Sequence, residues 1–283
     1  MFNKRHIVRT IAATVSILAL SFTAACGSGQ STASNSTDSD DITQQTYKPG
    51  KLTIATGQPA YEPWVMNDKP ESGEGYEAAV AYAVADKLGF KKSDVVWTRT
   101  AFDTAIAPGA KDWDFNIQQF GITDERKKAV DFSSSYYNDS QSVVVKKDSK
   151  FANATKVSDL KDATVGVMVG TLAYDYAKAN IKTFNDDAAL AQALDAGQID
   201  ALVTSTVECV YMVQSEQVKD AKVLGRLPDS EDKSGMGIVL PKDSKLTAAV
   251  TKAVDDLNAD GTIKKLQDKW LAEYTTDLTE LKK

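Results

Sequence analysis

"TVGVMVGTLAYDYA", Thr164 to Ala177, decides the architecture, because a strand-then-helix pattern that has already run once along the chain begins again there. Thr164 to Val169 is a short apolar run rich in valine, the composition of a buried strand. Gly170-Thr171 interrupts it and opens a helix that the spacing carries to about Ala179. Upstream, Lys51 to Ala55 and Asp94 to Thr98 read as strands, as does the stretch around Phe115. Gly75 to Leu88 sets Tyr76, Val80, Val84 and Leu88 on one helical face, with Gly89 at the position just past the helix end. A short helix lies near Asp103 and a further strand at Ser142 to Lys146.

Downstream, Asn185 or Asp186 caps a helix with Leu190 and Leu194 on one face and Gly197 as its stop. Asp200 to Thr204 is a buried strand leading into a helix through Val213. An extended piece, Gly237 to Leu240, precedes a helix at Leu246 to Leu257 and another ending near Trp270. Two successive blocks of this kind imply an α/β protein of two lobes. The final strand and helices lack a block of their own and return to the first lobe. The expected division is therefore 48–145 plus 236–283 for lobe 1 and 146–235 for lobe 2. The two crossings, near 145 and 236, form a hinge. Ligands of α/β sheets gather beyond the carboxyl ends of strands, which here means a cleft between the lobes.

The first 25 residues are a basic start, an apolar run of about 12 residues and small residues before Cys26. That order marks an export signal, and the run is short of the ~20 residues that span a bilayer. Small residues ahead of Cys26 resemble a lipoprotein cleavage site, which implies acylation of Cys26 and tethering to the outer face of the cell membrane. Residues 26–47 are mostly small and polar and read as a flexible tether. Loss of Lys4, Arg5 and Arg9 with the signal leaves 30 of the 33 basic residues against 39 acidic ones, a formal charge of −9. This argues against nucleic acid as a partner. The only histidine, His6, leaves with the signal, which removes Ser-His-Asp and Cys-His catalysis and every His-containing zinc site. No metal or cofactor is expected, and with Cys26 acylated, Cys209 has no disulfide partner.

Four stretches, "GITDERKKAVDFSSSYY" (121–137), "VGVMVGTLAYDYAKANIKT" (165–183), "ALAQALDAGQIDALV" (189–203) and "LNADGTIKKLQDKW" (257–270), resemble in order the signature blocks of family 3 bacterial solute-binding proteins. These are amino-acid receptors of ABC importers. The tract 175–183 is especially similar to glutamine-binding members. The resemblance implies a two-lobed periplasmic binding protein type II fold with an interlobe cleft. It implies a monomer that captures a small polar amino acid or related amine and hands it to a membrane permease and ATPase.

It also implies roles. Arg126 receives the ligand's α-carboxylate, for which a planar guanidinium offers two parallel donors and a permanent charge. Alone, Arg126 reads as a solvated charge paired with Asp124 or Glu125, and it is the resemblance that makes it a clamp. Gly170 and Thr171, with Leu172 following, complete the carboxylate site through free N–H groups at a helix start. Tyr61 and Phe102 stand as opposing aromatic walls, and Trp64 reads as structural. The chain departs from the family pattern at four points. Ser205 stands where an aspartate binds the α-ammonium, Gly121 where a hydroxyl supports the carboxylate, Gln118 and Gln119 where small residues are common, and Met168 where glutamine-binding members carry lysine. The two glutamines offer amide donors and acceptors. Glu208, one turn past Ser205, is either a replacement negative charge or a solvated helix face. Other readings are a dehydratase-like enzyme on the same fold and the sensor domain of a receptor.

Overall fold

The computed structural model describes residues 41–176, 180–275 and 278–283. The export signal, Cys26, most of the tether and the end of the helix expected at 179 lie outside them.

The strands are β1 (Leu52–Thr56), β2 (Val95–Arg99), β3 (Phe115–Asn116), β4 (Val130–Tyr137), β5 (Gln141–Lys146), β6 (Thr164–Met168), β7 (Asn180–Phe184), β8 (Ala201–Ser205), β9 (Ala221–Arg226) and β10 (Met236–Pro241). The helices are α1 (Tyr76–Lys87), α2 (Phe102–Ile106), α3 (Ala173–Tyr176), α4 (Asp187–Asp195), α5 (Thr206–Gln214), α6 (Thr247–Ala259) and α7 (Thr262–Trp270). They build two five-stranded sheets, ordered β2-β1-β3-β10-β4 and β7-β6-β8-β5-β9. In each, three parallel strands are joined by an antiparallel one, β10 beside β3 or β5 beside β8.

Both sheets are covered on two faces. In β5, Val143 and Val145 pack on one side with Val165, Val167 and Leu160, while Val144 packs on the other with Leu190, Leu194 and Met212. Successive side chains of a strand point to opposite faces, so an unbroken valine run needs cover on both. In lobe 1, Leu52, Ile54, Val80, Val84 and Ile238 share a core with Val250, Val254 and Leu257 of α6. Asp186 caps α4 by accepting the Ala189 N–H at 2.7 Å.

Three details correct the expected division. The strand at 142–146 belongs to the second sheet, between β8 and β9, so the chain first crosses at 138–140 rather than near 145. Its two-sided valine run finds neighbours only there. The chain's last residues, assigned to lobe 1, lie on lobe 2. There Thr279 O accepts the Arg226 N–H at 3.0 Å and Leu281 N–H donates to Arg226 O at 2.9 Å. β9 is an edge strand with groups left to pair, and a Cβ on Gly225 would meet Thr279 O at 2.3 Å. Third, the end of the tether is docked. Ile42 packs on the lobe 1 core, and the Tyr47 N–H bonds Asp114 Oδ1 at 2.5 Å.

The two crossings are tied together. Asp232 N–H donates to Asp139 O at 2.8 Å, Leu227 N–H to Gln141 O at 2.8 Å, and Gln141 N–H to Ser230 Oγ at 3.0 Å.

Leu281, 3% exposed in the lobe 2 core, tests the docked tail. Leu281→Ala should lower stability by about 2–5 kcal/mol in urea unfolding; an unchanged midpoint would contradict this packing.

Candidate functional site

A cleft of about 440 Å³ opens between the lobes, walled by the loops after β1, β3, β6 and β8 and by the crossings. Arg126 reaches it from a single 3-10 turn, Arg126–Lys128, that follows β3. The turn is set by Thr123, whose hydroxyl oxygen accepts the Arg126 N–H at 3.1 Å. Asp124 and Glu125 do not hold the arginine: they pair outward with Lys127 and Lys128. The guanidinium instead donates to Gly121 O of lobe 1 at 2.6 Å and to Gly170 O of lobe 2 at 2.7 Å. It lies over the Phe102 ring, 5.5 Å from its centre, and Phe102 stacks on Phe120 at 4.6 Å. Burial pulls the Arg126 pKa down while Asp232 and Asp175 raise it. Among the described residues, no carboxylate lies within ion-pair distance of it.

Gly121 has a steric reason to lack a side chain. A Cβ there would meet Leu172 Cδ1 at 2.6 Å and Asp232 Oδ2 at 3.0 Å, so the lobes could not approach as they do. Opposite, the Gly170-Thr171 turn differs from the expected donor site. Gly170, at φ +76, supplies its carbonyl to Arg126 rather than an N–H to the cleft. The Thr171 N–H and hydroxyl both turn back to Met168 O, at 3.4 and 2.8 Å. The described part of α3 is one turn, too short for an appreciable dipole.

Tyr61 and Phe102 both line the cleft. The Tyr61 hydroxyl oxygen accepts the Ala188 N–H of lobe 2 at 3.4 Å, and burial pushes its pKa up. Gln118 lines the cleft with an amide oxygen that has no hydrogen-bond partner among the described residues. Gln119, at φ +50, is committed elsewhere. Its N–H donates to Glu77 Oε1 at 2.7 Å, and its side-chain amide donates to Glu77 Oε2. Glu77 also accepts the Tyr136 hydroxyl, and burial raises its pKa to about 7 against those hydrogen bonds.

Ser205 lines the cleft and caps α5 through the Glu208 N–H at 3.2 Å. Glu208 is not a solvated face: it is 3% exposed and accepts the indole N–H of the fully buried Trp64. Trp64, read as structural, thus ties lobe 1 to lobe 2. A further link runs from the Tyr211 hydroxyl to Glu62 Oε2 at 3.2 Å. Three acids of the cleft, Asp139, Asp187 and Asp232, went unread in the sequence. Asp187 was passed over beside Asn185 and Asp186, the two residues read as the helix cap, and Asp139 sits in a crossing that was placed several residues too late. Among the described residues no cluster of acidic, cysteine or histidine side chains is arranged for a metal ion, and no helix is long and apolar enough to cross a membrane.

The pH dependence of this site has a definite sign. Glu77 titrates at about 7 in the folded protein against an ordinary 4.5. Between these values the folded state holds a proton that the unfolded chain has released, so stability falls as pH rises through this window and levels off above it. Glu77→Gln cannot titrate. Urea unfolding should therefore show wild type losing a few kcal/mol relative to this variant between pH 4.5 and pH 7.5. Parallel curves would contradict the assignment.

The sequence matches the family described as bacterial extracellular solute-binding proteins, family 3, over residues 52–273. The L-arginine-binding protein of Pseudomonas aeruginosa is 29% identical over 245 residues, covering 80% of this chain and 88% of the relative. The L-cystine-binding protein TcyJ of Escherichia coli is 29% identical over 223 residues, covering 76% of this chain and 81% of the relative. Among solved structures, an ancestral arginine-binding protein bound to arginine aligns with a TM-score of 0.67 and 31% identity, over 78% of this chain and 98% of that one.

Proposed function

Because the chain belongs to the bacterial extracellular solute-binding proteins, family 3, we propose that it is the receptor of an ABC importer. It captures a polar amino acid or related small amine between its lobes and delivers it to a membrane permease. The observation that carries this reading is Arg126. A permanent charge, half-buried over Phe102, sits where both lobes meet, and among the described residues its guanidinium bonds only carbonyl oxygens.

Carbonyls solvate a guanidinium without neutralising it, whereas a carboxylate accepts two of its N–H groups and balances the charge. A ligand carboxylate reaching this position would draw both lobes onto one anion. Binding then favours the arrangement in which Gly121 and Leu172 approach, a shift of population toward a closed state. Phe102 and Tyr61 supply apolar faces for the ligand's carbon chain. None of these contacts requires a bond of the ligand to break. A ligand recovered unchanged by mass spectrometry after long incubation supports capture, and a dehydrated product would favour the enzyme reading.

Delivery needs the receptor near the membrane, and Cys26 supplies the anchor through acylation at its sulfur. Cells expressing wild type should incorporate labelled fatty acid into the protein, and Cys26→Ala should abolish labelling and release the protein to the medium or periplasm. Equal labelling of both would remove the anchor.

The ligand is found by a thermal-shift screen over amino acids and small amines, in which one present at 100 times its Kd adds about 2.7 kcal/mol of stability. With that ligand, Arg126→Ala should lose at least about thirtyfold in affinity by calorimetry, the scale for truncating a buried charge contact, while its far-UV circular dichroism stays that of wild type. An unchanged Kd would refute the carboxylate role.

A further inference from the structure

The cleft holds negative charge that Arg126 does not answer. Asp139 in the first crossing, Asp187 at the start of α4 and Glu208 in the first turn of α5 all line it. They are 7%, 9% and 3% exposed. Asp139 Oδ1 accepts the Ser140 N–H at 2.7 Å, but among the described residues its Oδ2 has no hydrogen-bond partner, and neither has Asp187 Oδ1. Among the described residues, no lysine or arginine forms an ion pair with any of the three, and the charges that act on Arg126 are those of Asp232 and Asp175. The cleft therefore has a cationic end and a separate acidic end.

Burial and mutual repulsion describe the acidic end. Burial first, then Asp186, raise Asp187 to about 6, with the Thr204 hydroxyl drawing it partly back. Burial raises Asp139 to about 6, with the Ser205 hydroxyl and the N–H groups of α5's first residues drawing it partly back. Glu208 is raised well above its ordinary value by burial and then by Asp187, with Asp139 and Glu77 adding to it and the Trp64 indole opposing. The helix starts ease this only in part, because Asp186 already caps α4 and Ser205 already caps α5. Buried carboxylates with too few donors for their oxygens are unfavourable, and a cation carrying N–H groups is the partner that relieves both their desolvation and their repulsion.

We infer that Asp139, Asp187 and Glu208 form a cation subsite that takes the ammonium or guanidinium groups of a ligand of net positive charge. The inference rests on the import reading above and names its substrate class. It also accounts for Ser205: the acid missing from that position is replaced by Asp139, which faces the Ser205 hydroxyl from the hinge. Three carboxylates exceed what one α-ammonium needs, so a second cationic group on the same ligand is accommodated at Asp187 and Glu208. Tyr61, which feels the charges of Asp186, Asp187 and Glu208, presents its ring beside that group, and an aromatic face attracts a cation.

Calorimetry at pH 7.5 with L-lysine, L-arginine, L-glutamine and L-glutamate tests this on wild type, Asp187→Asn and Glu208→Gln. The substitutions keep side-chain shape, and an amide oxygen at 208 still accepts from Trp64, so thermal melts should show no loss of folding. L-Lysine or L-arginine should bind at least tenfold tighter than L-glutamine, and each substitution should lower that preference at least tenfold. L-Glutamine binding tighter than both cationic amino acids, or variants that keep the wild-type preference, would overturn the subsite. If such neutral binding is still lost in Arg126→Ala, the import reading stands and only the subsite falls. If none of the four amino acids binds, the subsite falls, and the import reading is decided separately by the thermal-shift screen over amino acids and small amines.

Discussion

A guanidinium cannot shed its proton, so wherever the fold places Arg126 the protein must supply acceptors. It does so from two lobes at once, Gly121 O on one side and Gly170 O on the other. The consequence is a charge whose surroundings exist only while the halves are together. Residues on either side of it follow from that constraint. Gly121 has no side chain because Leu172 and Asp232 occupy the space, and Phe102, beneath the guanidinium, packs against Phe120. Thr123 fixes the turn from which the side chain departs.

The same closure depends on a buried layer below the cleft. Trp64 packs edge-on against Tyr137, with centres 5.5 Å apart, and reaches across to Glu208. Glu77 clamps Gln119 in a backbone conformation that favours glycine, and is itself held by Tyr136. Lobe 1 thus presents a pre-shaped wall, and lobe 2 brings most of the acids to it. The crossings, bonded to one another through Asp232 and Asp139, carry an acid of the cleft within the hinge itself. Ligand charge and lobe angle therefore act on the same few residues.

How much of this was legible follows from where information resides in a chain. Helices α1 and α4 and the valine-rich strands were readable because periodicity and apolar runs are local. β4 was missed because "VDFSSSYY" sets three serines in a row before two tyrosines, with no period-2 alternation, and it is completed only by pairing with β10. β7 and β9 are edge strands with half-exposed faces, which leave little pattern. Arg126 was reachable through the ordered family blocks, Tyr61 and Phe102 through the same resemblance elsewhere, and Glu208 through its spacing from Ser205, and all four line the cleft. Asp139 and Asp187 were not, because their burial arises from chain crossings and from the opposite lobe. The Thr171 N–H was expected to face the cleft, but whether a turn points its donors outward or back on itself depends on backbone angles that composition does not encode.

The most direct test of the central claim is an interlobe distance measured by pulsed electron resonance, with spin labels at exposed positions in Asp86→Cys and Lys161→Cys; Cys209 is buried and stays unlabelled. Saturating ligand should shorten and sharpen the distance distribution in otherwise wild-type protein and leave it broad when Arg126→Ala is added. Equal shortening in both proteins, at occupancies matched by calorimetry, would mean that the lobes close on something other than this arginine.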